Sequence, residues 1–509
     1  MRITNKIMQN NSLNNINNNK ELQDKLNTQM STQKKITRPS DDPVVAIRAL
    51  RLRTNVSNIT QYYEKNSKDA QSWISITEDA LDNVTEVLTD MIEQCGKGAN
   101  DTMETSNRLV TIENLKALAN EIYATGGADV AGRTVFTGYR TESKLTFQED
   151  TALPYSITEQ LDKNALSNIT YVDTDDLSAY TSTSYDLLNV TEQSVTSSEV
   201  HRIRLAYNST DNVNAPTVTY TDEFGVSQSV TATITPSGGA TNPYTSVTTN
   251  GINYIPETGE LIIGNTLYNS FMSTKDDKTT ATNEGEFQIT YNKNNWKEGD
   301  LRPEHYFACT ANPGSATEEM EYNQEYLLGG SKQIIKYDVG SNQSIRVNTT
   351  ADECFTHNIG RDVEELERIT QQLSSIEDIV TKLQKIVDEG GLSGTSLESA
   401  EEKLAAAKKA QTFQKDVVQK KFSSAITSMQ SYLNQTNLAI TNVGSRSSRL
   451  ELVQNRLRSQ QTNFKTLASE NEDADITEVA IQLGSAELSY EAALLATGKI
   501  SQTSLLNFI

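Results

Sequence analysis

The sequence is poor in cysteine, histidine and proline. Its 509 residues include three cysteines, three histidines and nine prolines. The cysteines, Cys95, Cys309 and Cys354, stand far apart without a CxxC pair, which excludes a disulfide scaffold and a zinc finger. No histidine belongs to an HExxH or triad-like pattern, and no glycine-rich phosphate loop occurs. We therefore expect no enzyme activity, metal or cofactor. We expect free thiols, although pairing of Cys309 with Cys354 stays open.

Basic residues and long apolar runs are also scarce. Lys and Arg number 45 against 67 Asp and Glu, so the formal net charge is −22. This charge argues against nucleic acid or an anionic membrane as a partner. No stretch of about 18 apolar residues, the length that spans a bilayer, occurs. The N-terminal stretch lacks the apolar core of a secretory signal peptide, so none is predicted.

Charge and proline divide the chain into three segments. Residues 1–140 carry no net charge, residues 141–355 carry −18, and residues 356–509 carry −4. Both ends have apolar residues at helical spacing, whereas the middle has short alternating runs rich in Thr, Val, Ile and Tyr, such as EFQITYNK. The sequence therefore predicts an α+β protein. Both termini would form a long α-helical coiled-coil stem, and a β-rich central insert would form the outer domain or domains.

A helix is predicted to begin at Pro43. Asp42 is a suitable N-cap, and Pro43 at the first helical position has the φ that a helix requires. Apolar residues then recur every three or four positions from Ala49 to Met91. If this helix runs unbroken to Gly96, it is about 80 Å long.

Long helices are also predicted in the C-terminal segment: Asp362–Glu389, Leu397–Val443, and Arg446 towards Ile509 with a break at the EDAD sequence. Beyond that break the apolar residues keep near-heptad spacing, which calls for a partner helix. The N-terminus offers a thin apolar stripe, so the two ends are predicted to pair. The predicted assembly seam comprises Ile3, Ile7, Leu13, Ile16, Leu22, Leu26, Val479, Leu483, Tyr490 and Leu494.

The N-terminal stripe is too weak to form a helix alone, because it lies among asparagines, which are poor helix formers. Two interpretations are open. The segment is either a tail that stays disordered or one that folds only when neighbouring helices supply apolar surface. The heptads at the other end of the chain favour the second interpretation.

Several motifs resemble the flagellin superfamily: MRITN, QMSTQKKITRPSDDPVVAIRALRLR, GRTVFTGY, GSRSSRLELVQNRL and the ending SLLNFI. Within it, ITRPSDDPV is more similar to the proteins of the hook–filament junction than to filament flagellins. The resemblance covers about residues 1–147 and 337–509 and leaves most of the middle unmatched.

The resemblance implies a terminal coiled-coil core domain, a helical rod domain with a β-hairpin, and a variable outer insert. The core domain would be built from residues 1–42 and 461–509. The rod domain would be built from residues 43–147 and 337–460, and the insert from residues 148–336.

The resemblance also implies a structural adaptor of the extracellular bacterial flagellum, which matches hook to filament and allows flagellin to polymerise. Copies would associate in a ring, with a hook-associated protein on the hook side and flagellin on the filament side. A filament subunit, or an adhesin carried by the insert, stays an alternative.

Export would use the flagellar type III apparatus without a cleaved signal peptide. Before export, a cytosolic chaperone would bind the C-terminus. The candidate chaperone-binding residues are Leu494, Ile500, Leu505, Leu506 and Phe508.

Overall fold

The computed structural model describes residues 5–174, 177, 180, 188–239, 241–274, 287–315, 317–327 and 333–506, but not the side chains of residue 5 and residues 500–506. The chain forms two compact units. The first contains Met1–Ala70, Tyr337–Ile345 and Ser448–Ile509, and the second contains Gln71–Lys336 and Arg346–Ser447. Each unit draws on distant parts of the sequence. The domain boundaries drawn from the sequence stay a prediction.

Long helices dominate both ends of the chain, and short ones occur in the insert. The α-helices are α1 (Asn5–Thr32), α2 (Pro43–Thr60), α3 (Ser67–Gly98), α4 (Thr105–Thr125), α5 (Asn265–Met272), α6 (Gln324–Leu327), α7 (Asn358–Glu389), α8 (Thr395–Glu472) and α9 (Ile476–Leu506). Short 3₁₀ turns cover Lys163–Ala165, Pro303–His305 and Ala351–Glu353.

The helix predicted from Pro43 to Gly96 forms with one interruption. A π-helical turn, Gln61–Asn66, joins α2 to α3 and adds a residue to the regular repeat. Side chains of α8 bond to this region: Gln461 donates to Glu64 at 2.8 Å, and Gln454 donates to the Ser67 carbonyl at 3.1 Å. Apolar spacing that alternates between three and four residues does not reveal one added residue.

The break predicted between Val443 and Arg446 is wrong, because α8 continues through Gly444 as part of a single helix of 78 residues. A glycine inside a helix costs only about 1 kcal/mol relative to alanine. Burial of Val443 and Leu450 on either side offsets that cost. The break at EDAD is present, since α8 ends at Glu472 and α9 begins at Ile476.

Two small hairpins flank the insert. The first pairs β1 (Asp129–Val130) with β2 (Arg133–Thr134), and the second pairs β14 (Lys336–Gly340) with β15 (Gln343–Arg346). The strands between them are β3 (Tyr155–Leu161), β4 (Leu166–Asp173), β5 (Thr196–Arg204), β6 (Thr217–Thr221), β7 (Ser227–Thr231), β8 (Thr233–Ile234), β9 (Ile252–Ile255), β10 (Glu260–Ile263), β11 (Phe287–Lys293), β12 (Ala308–Ala311) and β13 (Met320–Tyr322).

The insert contains a six-stranded and a five-stranded sheet. The strand orders are β13-β12-β3-β11-β6-β7 and β4-β5-β10-β9-β8. Pairing is antiparallel except between β8 and β9. One hydrophobic core takes side chains from both sheets, including Ile157 and Ile289 from the first and Ile203 and Leu261 from the second. The helical ends and this β-rich centre confirm the predicted α+β fold class.

Buried ion pairs tie the five-stranded sheet to α7 and α8. Glu365 on α7 accepts hydrogen bonds from Arg202 at 2.8 Å and from Arg204 at 3.0 Å, and Lys421 on α8 lies 2.7 Å from it. Arg202 also pairs with Glu260 at 2.7 Å. Burial alone would raise the pKa of Glu365, but the charges of Arg202, Lys421 and Arg204 together hold it well below its ordinary value.

Replacing Glu365 by Gln is expected to destabilise the protein by about 3–5 kcal/mol, because the buried cations lose their shared counter-charge. Equilibrium unfolding in urea measures the difference. Glu389→Gln is the matched control, since Glu389 is an exposed residue at the end of α7 that pairs only with exposed Lys385. Equal stability of the two variants would contradict the assigned role of Glu365.

A second buried carboxyl lies in the core of the insert. β3 alternates between the two faces of its sheet, and Glu159 takes an inward position after Tyr155 and Ile157. Its carboxyl accepts hydrogen bonds from the Ala206 N–H at 2.8 Å and from the Tyr291 hydroxyl. Burial nevertheless raises the pKa of Glu159 to about 7.

A carboxyl whose pKa is raised by folding stabilises the fold while it is protonated. This contribution is present below the ordinary pKa of about 4.5 and is lost as the pH rises through about 7. At pH 8, the free energy of unfolding of Glu159→Gln should therefore exceed that of the native protein by on the order of 1–3 kcal/mol. At pH 5 the difference should be smaller. Thermal unfolding at both pH values checks this. Glu199→Gln, which removes an exposed charge from β5, should have no comparable effect, and a stability gain for Glu159→Gln that is the same at both pH values would refute the assignment.

Candidate assembly interface

α1 and α9 pack side by side and run antiparallel. Their direction follows from the residues beside them, because Lys34 just after α1 forms a β-bridge with Asp473 just before α9. The apolar contacts between the helices centre on Leu26, Val479 and Ala486, which are 3%, 7% and 5% exposed. This core is small for helices of 28 and 31 residues.

The packed face of α1 is mostly polar. Between Gln9 and Leu26, the side chains that are partly or fully withdrawn from solvent recur every three or four residues: Gln9, Ser12, Ile16, Asn19, Gln23 and Leu26. Two of these six are apolar. Isolated helices are marginal in water even when their composition favours helix. α1 therefore depends on α9 for its helical structure.

Five described residues of the predicted seam are partly or fully withdrawn from solvent, and their role in an assembly seam stays a prediction. Leu26 and Val479 are buried, and Leu483 packs against them. Ile16 and Tyr490 are half-buried. On α9 the packed positions continue the heptad through Ala486. The predicted seam residue Ile3 lies outside the described residues.

Four other residues of the predicted seam are about half exposed in the single chain, so their place in the seam stays a prediction. The exposed fractions of Ile7, Leu13, Leu22 and Leu494 are 50%, 53%, 47% and 46%. On α1 the reason is geometric. A step of six residues, as from Ile7 to Leu13 or from Ile16 to Leu22, turns a helix by about 600° and places the side chains on different faces. The apolar residues of α1 therefore do not form one stripe.

A second apolar stripe runs along the solvent side of α9. Ile481, Leu488 and Leu495 follow one another at intervals of seven residues and are 69%, 70% and 70% exposed. Sequence analysis missed this stripe, although a second heptad register in the same segment was the available signal. On α1, Ile7, Leu13 and Leu22 add further exposed apolar surface. Exposed large apolar side chains that recur in this way indicate an association surface.

The predicted chaperone-binding residues lie at the far end of α9. Leu494 is described, and about half of its side chain is exposed. Ile500, Leu505 and Leu506 belong to the helix, but their side chains lie outside the described residues, as does the whole of Phe508.

The candidate helix cap lies at the start of α2. The Asp42 carboxylate accepts hydrogen bonds from the Val44 and Val45 N–H groups at 2.9 and 3.1 Å. Pro43 occupies the first helical position, where its missing N–H costs nothing. Asp42 and Pro43 therefore fix the residue at which α2 begins.

Burial affects the three cysteines and two of the three histidines. Cys95, Cys309 and Cys354 are free and buried, and burial raises the pKa of the Cys95 thiol to about 12. Burial also lowers the pKa values of His305 and His357 to about 3, so both rings are neutral at physiological pH.

The described residues hold no group of three His, Cys, Asp or Glu side chains placed to bind a metal ion. Their helices include none that is both long and apolar enough to cross a membrane.

Comparisons with known proteins find similarity to bacterial flagellar proteins. Residues 3–141 match the family described as the bacterial flagellin N-terminal helical region. The flagellar hook-associated protein 3 of Salmonella typhimurium is 29% identical over 167 residues, which are 32% of this chain and 52% of that protein. The protein of the same name from Escherichia coli is 28% identical over 144 residues, 28% of this chain and 45% of that protein. The chain thus spans about half the length of these relatives.

Solved structures give a weaker likeness. The flagellar hook-associated protein-3 from Legionella pneumophila is 9% identical with a TM-score of 0.29, over 82% of this chain and 97% of that chain. This score carries no conclusion about the present chain. The sequence comparisons agree with the resemblance that the motifs indicate, since residues 3–141 match the bacterial flagellin N-terminal helical region.

Proposed function

We propose that the protein is a structural subunit of the bacterial flagellum, placed at the junction between hook and filament. The observation that carries this proposal is the flagellin-type N-terminal region, together with the similarity to two proteins named flagellar hook-associated protein 3. The role is geometric rather than catalytic: the subunit joins one helical lattice to another.

The partners follow from the same proposal. Copies associate with each other in a ring, contact a hook-associated protein on one side and contact flagellin on the other. The exposed stripe of Ile481, Leu488 and Leu495 supports an association of this kind, because such a stripe gains free energy only when another helix covers it. The same apolar surface would favour premature association, which argues for a chaperone on the C-terminal part of α9 before export.

Export through the flagellar type III apparatus as an unfolded chain, and a final location outside the cell, complete the proposal. The small core between α1 and α9 supports it. A helix pair held by Leu26, Val479 and Ala486 is easily opened and re-forms when neighbouring copies add further contacts.

The test substitutes the exposed stripe in the protein of cells that contain no other copy and that swim when this copy is native. The variant Ile481→Asp, Leu488→Asp, Leu495→Asp should abolish swimming and release unpolymerised flagellin into the medium. The matched control is Gln482→Asp, Ser489→Asp, Ala496→Asp, which adds the same charges at the same spacing on exposed positions of α9. Control cells should swim.

Normal filaments in the stripe variant would overturn the proposal. Circular dichroism of both purified variants checks that they keep the same helix content. A stripe variant that is present along the whole filament in place of flagellin would make the chain a filament subunit instead.

A further inference from the structure

In the first compact unit, two segments that connect consecutive helices lie against each other, and we call them the crossings. The first crossing, residues 33–42, leads from α1 to α2. The second crossing, residues 473–475, leads from α8 to α9. The Lys35 N–H donates to the Glu472 carbonyl at 2.7 Å, and the Ala474 N–H donates to the Gln33 carbonyl at 2.9 Å. These bonds flank the β-bridge between Lys34 and Asp473.

Beside this short ladder, four charged side chains pair with one another: Lys34, Arg53, Glu472 and Asp473. We call them the crossing clasp. Arg53 on α2 binds both carboxylate oxygens of Glu472, with its Nε at 2.7 Å from Oε1. Lys34 pairs with Asp473 and lies 3.8 Å from Glu472. The clasp thus links α2, the end of α8 and both crossings.

Polar contacts, rather than an apolar core, hold the crossings together. In residues 33–45 and 470–478, all of which are described, the one buried side chain is that of Glu472, which is 6% exposed. The nearest buried apolar residues lie on either side, with Leu26 and Val479 between α1 and α9, and Ala46 and Ala49 on α2. The two helical parts therefore have separate apolar contacts and a charged joint.

The remaining contacts at the joint support the clasp. Asp41 orders the first crossing by accepting hydrogen bonds from the Thr37 and Arg38 N–H groups at 3.1 and 2.9 Å. Asn471 donates to the Val45 carbonyl at 3.2 Å, which holds the end of α8 against the start of α2. None of these bonds joins α1 or α9 to α2 or α8 directly.

We propose that the crossing clasp is an electrostatic lock, which sets the direction of the α1–α9 pair and allows that pair to swing as one body when the lock opens. Glu472 is the centre of the lock because its buried carboxylate needs a cation. Arg53 and Lys34, whose side chains are 63% and 42% exposed, supply the cations from the solvent side, where salt screens them. The lock is a property of the isolated subunit and does not depend on the proposed function.

The experiment measures the distance between spin labels on the full-length protein, diluted with unlabelled protein to avoid signals between copies. Labels at Ser459→Cys on α8 and Ser485→Cys on α9 report the direction of the α1–α9 pair, since both positions are exposed. The three native cysteines are buried and do not compete for label.

The critical variant is Arg53→Glu, which puts like charges together in the clasp. Its distance distribution should be several-fold wider than that of the native protein, while circular dichroism records the same helix content. Arg51→Glu is the matched control, because Arg51 is an exposed arginine of α2 outside the clasp, and its distribution should stay narrow. Arg53→Glu combined with Glu472→Arg restores an opposite pair and should narrow the distribution again.

Salt gives a second readout on the native sequence, which needs no substitution in the clasp. Raising the salt from about 0.05 M to about 1 M should widen the native distribution. The proposal is overturned if the native distribution is the same at both salt concentrations. It is also overturned if Arg51→Glu widens the distribution as much as Arg53→Glu, or if the widening accompanies a loss of helix.

Discussion

The dependence of α1 on α9 is the constraint on which the rest of the structure rests. α1 is rich in asparagine, and its packed face has Ile16 and Leu26 as its apolar members. Such a segment cannot form a helix by itself, so the beginning of the chain folds only when its end is available. Both ends therefore belong to one compact unit, and the β-rich insert is an excursion between them.

The insert and the ends of the chain are stabilised in different ways. The insert has a core built from two sheets, large enough to bury aromatic side chains such as Trp296 and Tyr254. Two buried carboxyls are accommodated differently: Glu365 on α7 is balanced by cations from the insert and from α8, whereas Glu159 in the insert accepts two hydrogen bonds and has a raised pKa. The ends have little core, and their crossing is held by charge.

The sequence predicted the helices and strands well, because their signals are local. Asp42 and Pro43 mark the start of α2, and apolar residues at alternate positions mark β3 and β11. The break predicted next to Gly444 was wrong, because a single glycine does not interrupt a helix of 78 residues. The spacing of apolar residues did not indicate the π-helical turn at Gln61–Asn66.

The candidate interface was harder to predict. Its position at the two ends followed from the heptads, but the face that each residue occupies did not. Leu13 and Leu22 belong to the predicted seam, but about half of each side chain is exposed in the single chain. The crossing clasp joins residues more than 400 positions apart in the sequence, such as Arg53 and Glu472. Local sequence patterns do not predict an ion pair between residues so far apart in the sequence.

The proposed position of this chain, at the junction between hook and filament, can be checked by immunogold electron microscopy of intact flagella with an antibody raised against residues 148–336. A protein at the junction gives a single band of label where the hook meets the filament. Label along the whole filament, or no label on flagella that carry the protein, would contradict the proposed position.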